Sequence, residues 1–145
     1  MCQYRNTPIK KSKEEIIAYK VFKLNNDNTL SSLFYNYEKR YKLKKKYRFA
    51  KWYEPFKHLK RIPLNTGHNM VSEGFHLFKH KTDAEMYLAS FKDDKSFSSN
   101  SKIVKIIIPK GTRIVYGTTI FLRYGRYKVE VNSIVSEKII IKEIL

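Results

Sequence analysis

The densest chemistry in the sequence lies between Tyr35 and Ile62. Eleven Lys and Arg residues fall there against Glu38 and Glu54, a net charge of +9, with eight aromatic side chains interleaved. Lys and Arg neutralise phosphates with little directional demand, and an aromatic face holds a stacked base for about 1–3 kcal/mol, so the mixture suits a single-strand or nucleotide surface. Arg40, Lys42, Lys44, Lys46, Arg48, Lys51 and Trp52 are the side chains expected to carry such binding. The blander reading turns the aromatics into the core and leaves the lysines as a solvated edge that blocks strand addition.

His76 follows Gly74 by two residues. A glycine permits close approach of a ligand, and an imidazole donates to phosphate or exchanges protons near neutral pH. The alternative is a hydrogen-bonded structural histidine between Phe75 and Leu77. Arg113, Arg123 and Arg126 flank the C-terminal turns and could converge from adjacent strands as a bidentate phosphate clamp, or simply cap strand ends. His68, His76 and His80 match no zinc spacing, and Cys2 alone builds neither a disulfide nor a thiolate site, so no metal or other cofactor is expected. Nucleophile elbows and phosphate-cradling glycine loops are absent, since Pro109-Lys110-Gly111-Thr112 lacks the Walker spacing.

The whole chain has 145 residues, 30 Lys+Arg, 13 Asp+Glu and a formal charge of +17. That length fits one domain, and 42% hydrophobic residues supply a core, so disorder throughout is excluded. Solubility alone calls for a charge of about 2 to 8, so the excess points to an anionic partner, nucleic acid or an anionic nucleotide. AT-biased coding would enrich Lys and Asn without selection for binding, but it spreads lysine evenly rather than gathering it between residues 35 and 62. The longest apolar runs, at Ile106–Ile108 and Ile139–Ile141, are too short to cross a bilayer, and Met1 to Lys13 has no apolar segment of a secretory signal. The expectation is a protein of the cytoplasm, bacterial or of an infected host cell, with no membrane partner.

The elements that would position these residues are mostly strands. Residues 1–14 read as a flexible basic arm, and 15–145 as a single domain with a basic aromatic excursion at 35–62. Ile16–Leu24 alternates as a strand, Asn25 to Asn28 forms a turn, and Thr29–Tyr35 returns as a hairpin. Glu73–Phe78 is a strand before Thr82-Asp83-Ala84-Glu85, which has the spacing of a capping box for a helix at 83–91 with Ala84, Tyr87, Leu88 and Phe91 on one face. Strands at Lys102–Ile108, Arg113–Tyr116, Thr118–Tyr124, Tyr127–Val131 and Ser136–Leu145 complete an α+β fold, mainly antiparallel sheet with one principal helix.

Tyr19-Lys20-Val21-Phe22, Leu33-Phe34, Gly74-Phe75-His76, Ala84 with Tyr87, and the Ile-rich end at 136–141 give a segment order that resembles a group of small phage and prophage proteins of uncharacterised function. The resemblance implies a phage-type setting and no activity. A second likeness is to ADP-ribosyltransferase folds, carried by Glu73 to Tyr87, Val104 to Gly111 and Glu137 in that order. It implies NAD as cofactor with Glu137, and His76 beside it, as catalytic residues. The expected function is thus non-enzymatic binding of a phosphate-bearing ligand, nucleic acid or a nucleotide second messenger. An NAD-using ADP-ribosyltransferase-like enzyme or inactive relative, and a self-associating virion or assembly protein, are the alternatives.

Overall fold

The computed structural model describes residues 3–5, 8–33, 39–48, 70–71, 74–90, 100–123 and 126–145. Their strands are β1 (Gln3–Arg5), β2 (Lys10–Lys11), β3 (Ile16–Leu24), β4 (Leu30–Ser31), β5 (Lys46–Arg48), β6 (Met70–Val71), β7 (Phe75–Phe78), β8 (Ser101–Ile108), β9 (Arg113–Arg123), β10 (Tyr127–Ser136) and β11 (Lys138–Ile144); the helix is α1 (Lys81–Ala89). Every pairing is antiparallel, in the order β5-β11-β8-β3-β7-β10-β9-β1-β6, with β2 on β9 and β4 on β3. The architecture is a mainly antiparallel β-sheet with one short helix among the described residues, in keeping with the α+β class but more strongly β.

The connection between β10 and β11 dictates the sheet's shape. Across a flat sheet, with β7, β3 and β8 between them, those strands would stand roughly 19 Å apart. Only Glu137 joins them, and Ser136 and Lys138 are therefore separated by no more than about 7 Å. The sheet must roll up, and Glu137 is the corner at which one continuous chain changes partners. Before the corner Ser136 pairs with Ile114 and the Glu137 N–H donates to the Arg113 carbonyl (3.1 Å); after it Lys138 pairs with Arg48.

The concave face encloses the larger core. Phe22, Leu77, Ile106, Ile114, Ile134 and Ile141 are fully buried there, with Tyr41 edge-on to Tyr47 (4.8 Å) and Phe75 (6.3 Å). β-Branched residues dominate because they pack well on a pleated surface. On the opposite face Ala84 and Tyr87 of α1 pack against Val21, Phe78, Ile103, Phe121 and Val131. Ala84 is completely buried, so the helix approaches closely at that point.

Local signals read from the sequence hold where the interactions are local. Asn25 to Asn28 forms the expected turn, with Asn28 at φ 64° and its N–H donating to the Asn25 carbonyl (3.0 Å). The Pro109–Thr112 turn uses Gly111 at φ 80°, a conformation favouring glycine. Three expectations change. The basic arm is built into the sheet: β1 and β2 pair with β9, Gln3 Nε2 donates to the Val115 and Ser133 carbonyls (3.2 and 2.9 Å), and buried Ser12 exchanges backbone bonds with Gly111 and Thr112. The helix begins at Lys81 behind an extended His80, whose carbonyl already accepts from Asp83 and Ala84, so Thr82 lies inside the first turn and forms no cap. The two strands expected at 113–124 are one, running straight through Gly117. Phe91, at the end of the expected helix, lies outside the described residues.

One cation points into the sheet. Lys20 shares the concave face with Ala18 and Phe22, its Nζ donates to the His76 carbonyl (3.1 Å) and lies 5.6 Å from the Phe22 ring centroid. Its stem is half-buried while its ammonium is surrounded by protein, and this desolvation lowers its pKa from 10.5 to about 8. The β3–β7 seam that it crosses has one paired position, Tyr19 with Phe78. Between about pH 8 and 10.5 the folded chain binds fewer protons at Lys20 than the unfolded one, so stability rises with pH across that window. Lys20→Met is therefore expected to be more stable than wild type at pH 7, by up to about 3 kcal/mol. The difference narrows toward pH 10, as read from urea unfolding at each pH.

Candidate functional site

Three residues singled out from sequence for different reasons meet at the corner of the rolled sheet. Glu137 is 4% exposed, and its Oε1 accepts from Arg48 (3.0 Å) and Arg113 (3.2 Å) while Oε2 accepts from Arg113 Nε (3.3 Å). The Arg48 side chain remains 51% exposed and that of Arg113 26%. Burial alone raises a carboxyl; the Arg113 hydrogen bonds and the charges of Arg113, Arg48 and Lys138 outweigh it and hold Glu137 below its ordinary value. Both carboxylate oxygens are engaged, an arrangement that fastens β5 and β9 to the corner.

The expected clamp of Arg113 with Arg123 and Arg126 does not form. Arg113 opens β9 and Arg123 ends it, which separates them by roughly 33 Å of extended chain. Arg126 precedes β10 at the far end of the hairpin and is exposed. The pairing that does occur, Arg48 with Arg113, depends on the partner exchange at Glu137.

The basic segment separates its two residue types. Lys39, Arg40, Lys42, Lys44, Lys45 and Lys46 are all exposed, whereas Tyr41 is 4% exposed and Tyr47 packs partly buried against the same core. The Tyr47 hydroxyl accepts from the Lys42 N–H (2.7 Å), and Lys39 Nζ lies 5.4 and 5.7 Å from the Tyr41 and Tyr47 ring centroids. Backbone bonds fasten the loop to β11: Lys44 N–H to the Ile141 carbonyl (2.6 Å) and Ile141 N–H to the Lys45 carbonyl (3.2 Å). Lys44 sits at φ 61°, a strained conformation for a residue with a Cβ, held by these tethers. Among the described residues of this segment the two tyrosines thus belong to the core and the six Lys and Arg of 39–46 to the surface. Lys51 and Trp52 lie outside the described residues.

His76 is 7% exposed on β7, opposite Val135 and on the same face of the sheet as Phe78. Among the described residues no group of three His, Cys, Asp or Glu side chains could hold a metal ion, and no helix is long and apolar enough to cross a membrane. Lys10 and Lys79 gather at the Tyr116 ring, 4.6 and 5.7 Å from its centroid. Lys11 and Lys138 were not singled out from sequence; only the strand register, which sets them opposite Arg113 and Arg48, gives them interest. Comparison of the chain with protein-family models, curated proteins and solved structures returns no match.

Removing the corner carboxylate leaves two guanidinium groups facing each other. Glu137→Gln is expected to destabilise the fold by about 2 kcal/mol, and Arg113→Met more than Arg48→Met because Arg113 supplies two of the three bonds. Because the folded carboxyl titrates below its ordinary 4.5, its stabilisation is complete above that value and is lost as pH falls through the folded value. Chemical denaturation between pH 7 and 2 should show the wild-type advantage over Glu137→Gln vanishing at the acid end.

Proposed function

We propose that this protein binds nucleic acid through its phosphate backbone, using the exposed cations of residues 39–46. The observation that carries the reading is the separation just described: six exposed Lys and Arg side chains in eight residues, with no acidic residue among them, and Tyr41 and the following Tyr47 turned to the core. Inward tyrosines favour backbone neutralisation over base stacking, and hence low sequence preference. A loop held by backbone bonds to β11 presents its charges with little ordering left to do on binding. A phage-type setting, which the sequence resembles, would suit such a protein. The NAD-using alternative gains no support from Glu137, whose oxygens are taken by Arg48 and Arg113.

Fluorescence anisotropy with labelled single-stranded DNA, duplex DNA and RNA should show binding that weakens steeply with salt. The slope of log K against log salt is expected at about −0.7 to −0.9 per phosphate neutralised. Lys44→Glu with Lys46→Glu should lower affinity at least tenfold while leaving the melting temperature within a few degrees. Undetectable binding at low salt, or affinity indifferent to salt, would sink the reading; a response to cyclic nucleotides alone would move it to a nucleotide ligand.

A further inference from the structure

Among the described residues, the register around Glu137 brings two lysines to the two arginines that share its carboxylate. Lys138 stands directly opposite Arg48 in the β11–β5 ladder, and Lys11 directly opposite Arg113 in the β2–β9 ladder. Directly opposed residues in an antiparallel pair share a face with Cβ atoms about 4.5–5.5 Å apart, and like charges so placed repel. Both pairs converge on the corner because Arg48 and Arg113 bind the same carboxylate. Two cations thus bind the carboxylate, and a lysine stands directly opposite each of them in the ladder. Among the described residues neither Lys11 nor Lys138 has a carboxylate within salt-bridge distance, although Lys81 and Lys105 elsewhere in the sheet and helix do. Lys46, two residues before Arg48 and on the same face of β5, continues this charge toward the basic loop.

We infer that the corner is a phosphate-binding point, in which Lys11 and Lys138 contact a phosphate group held beside Arg48 and Arg113, with Glu137 as the positioning residue that orients the two guanidiniums. Arg presents a planar fork matched to phosphate, and a guanidinium already held by a carboxylate is pre-oriented for a second oxyanion. The geometry joins β2, from the N-terminal region, to the 39–48 loop in one band of charge running across the rolled sheet. Such a band is longer than a single phosphate needs, which favours a polymer as the source. That last step rests on the nucleic-acid reading above; the phosphate chemistry of the corner does not.

The decisive variant is Lys11→Gln with Lys138→Gln, which removes charge and leaves the Glu137 bonds intact. In chloride its melting temperature should equal or exceed that of wild type, because two like-charge pairs are relieved. Inorganic phosphate, at ionic strength matched with chloride, should raise the melting temperature of wild type and raise that of the variant by less than half as much. For a 20-nucleotide single strand, the salt slope should fall by about 1.5, two contacts' worth. A loss confined to the oligonucleotide supports the corner with nucleic acid as its source. A loss confined to phosphate or a mononucleotide supports it with a small phosphorylated ligand as its source. Wild-type phosphate response together with wild-type oligonucleotide slope in the variant overturns the inference. If the Lys44→Glu, Lys46→Glu protein is meanwhile impaired, the broader nucleic-acid reading stands without it.

Discussion

A chain that passes from β10 to β11 through one residue cannot lie in a flat sheet, and most of the structure follows from that constraint. Glu137 sits at the bend with its backbone N–H still in the β9 ladder and the next residue already in the β5 ladder. Rolling the sheet about this corner gives the isoleucines of β8, β9, β10 and β11 a common interior. It also brings Arg48 and Arg113, from strands at opposite margins of the rolled portion, to the same carboxylate. A buried carboxylate without partners would be costly, and two guanidiniums holding it below its ordinary pKa make the corner a fastening rather than a defect.

How much of this was legible in advance depended on the range of the interactions. The β3 and β8 strands, the Asn25–Asn28 turn and the Pro109–Thr112 turn rest on local propensity and were readable residue by residue. Long-range register was not. Nothing in residues 1–14 reveals that Gln3 will meet Val115 and Ser133, since that requires knowing which strand edge is open. Thr82 and Glu85 have capping-box spacing, but the extended residue that determines where winding begins is His80.

The same division applies to the functional candidates. Composition locates the basic loop, and the sequence leaves open whether its aromatics face a ligand or the core. The separation of tyrosines to the core and lysines to solvent is a consequence of β5 presenting Tyr47 inward between Lys46 and Arg48. The three C-terminal arginines looked close because their strands are consecutive, yet a hairpin as long as β9–β10 places its ends far apart. Arg48 and Arg113, distant in sequence and assigned to separate sites, are neighbours.

The attachment of residues 3–12 bears on how the chain acquires its fold. Gln3 bonds across 130 residues to Ser133, and Ser12 completes a turn formed about a hundred residues later in the chain. Until β9 is in place β2 has no ladder and β1 has only its two paired positions with β6, and β9 itself pairs most extensively with β10. Such contacts are entropically late, because a long loop must close before they form. Without those strands the outer edge of β9 would stand open to any other strand that reaches it, so their attachment also closes an edge.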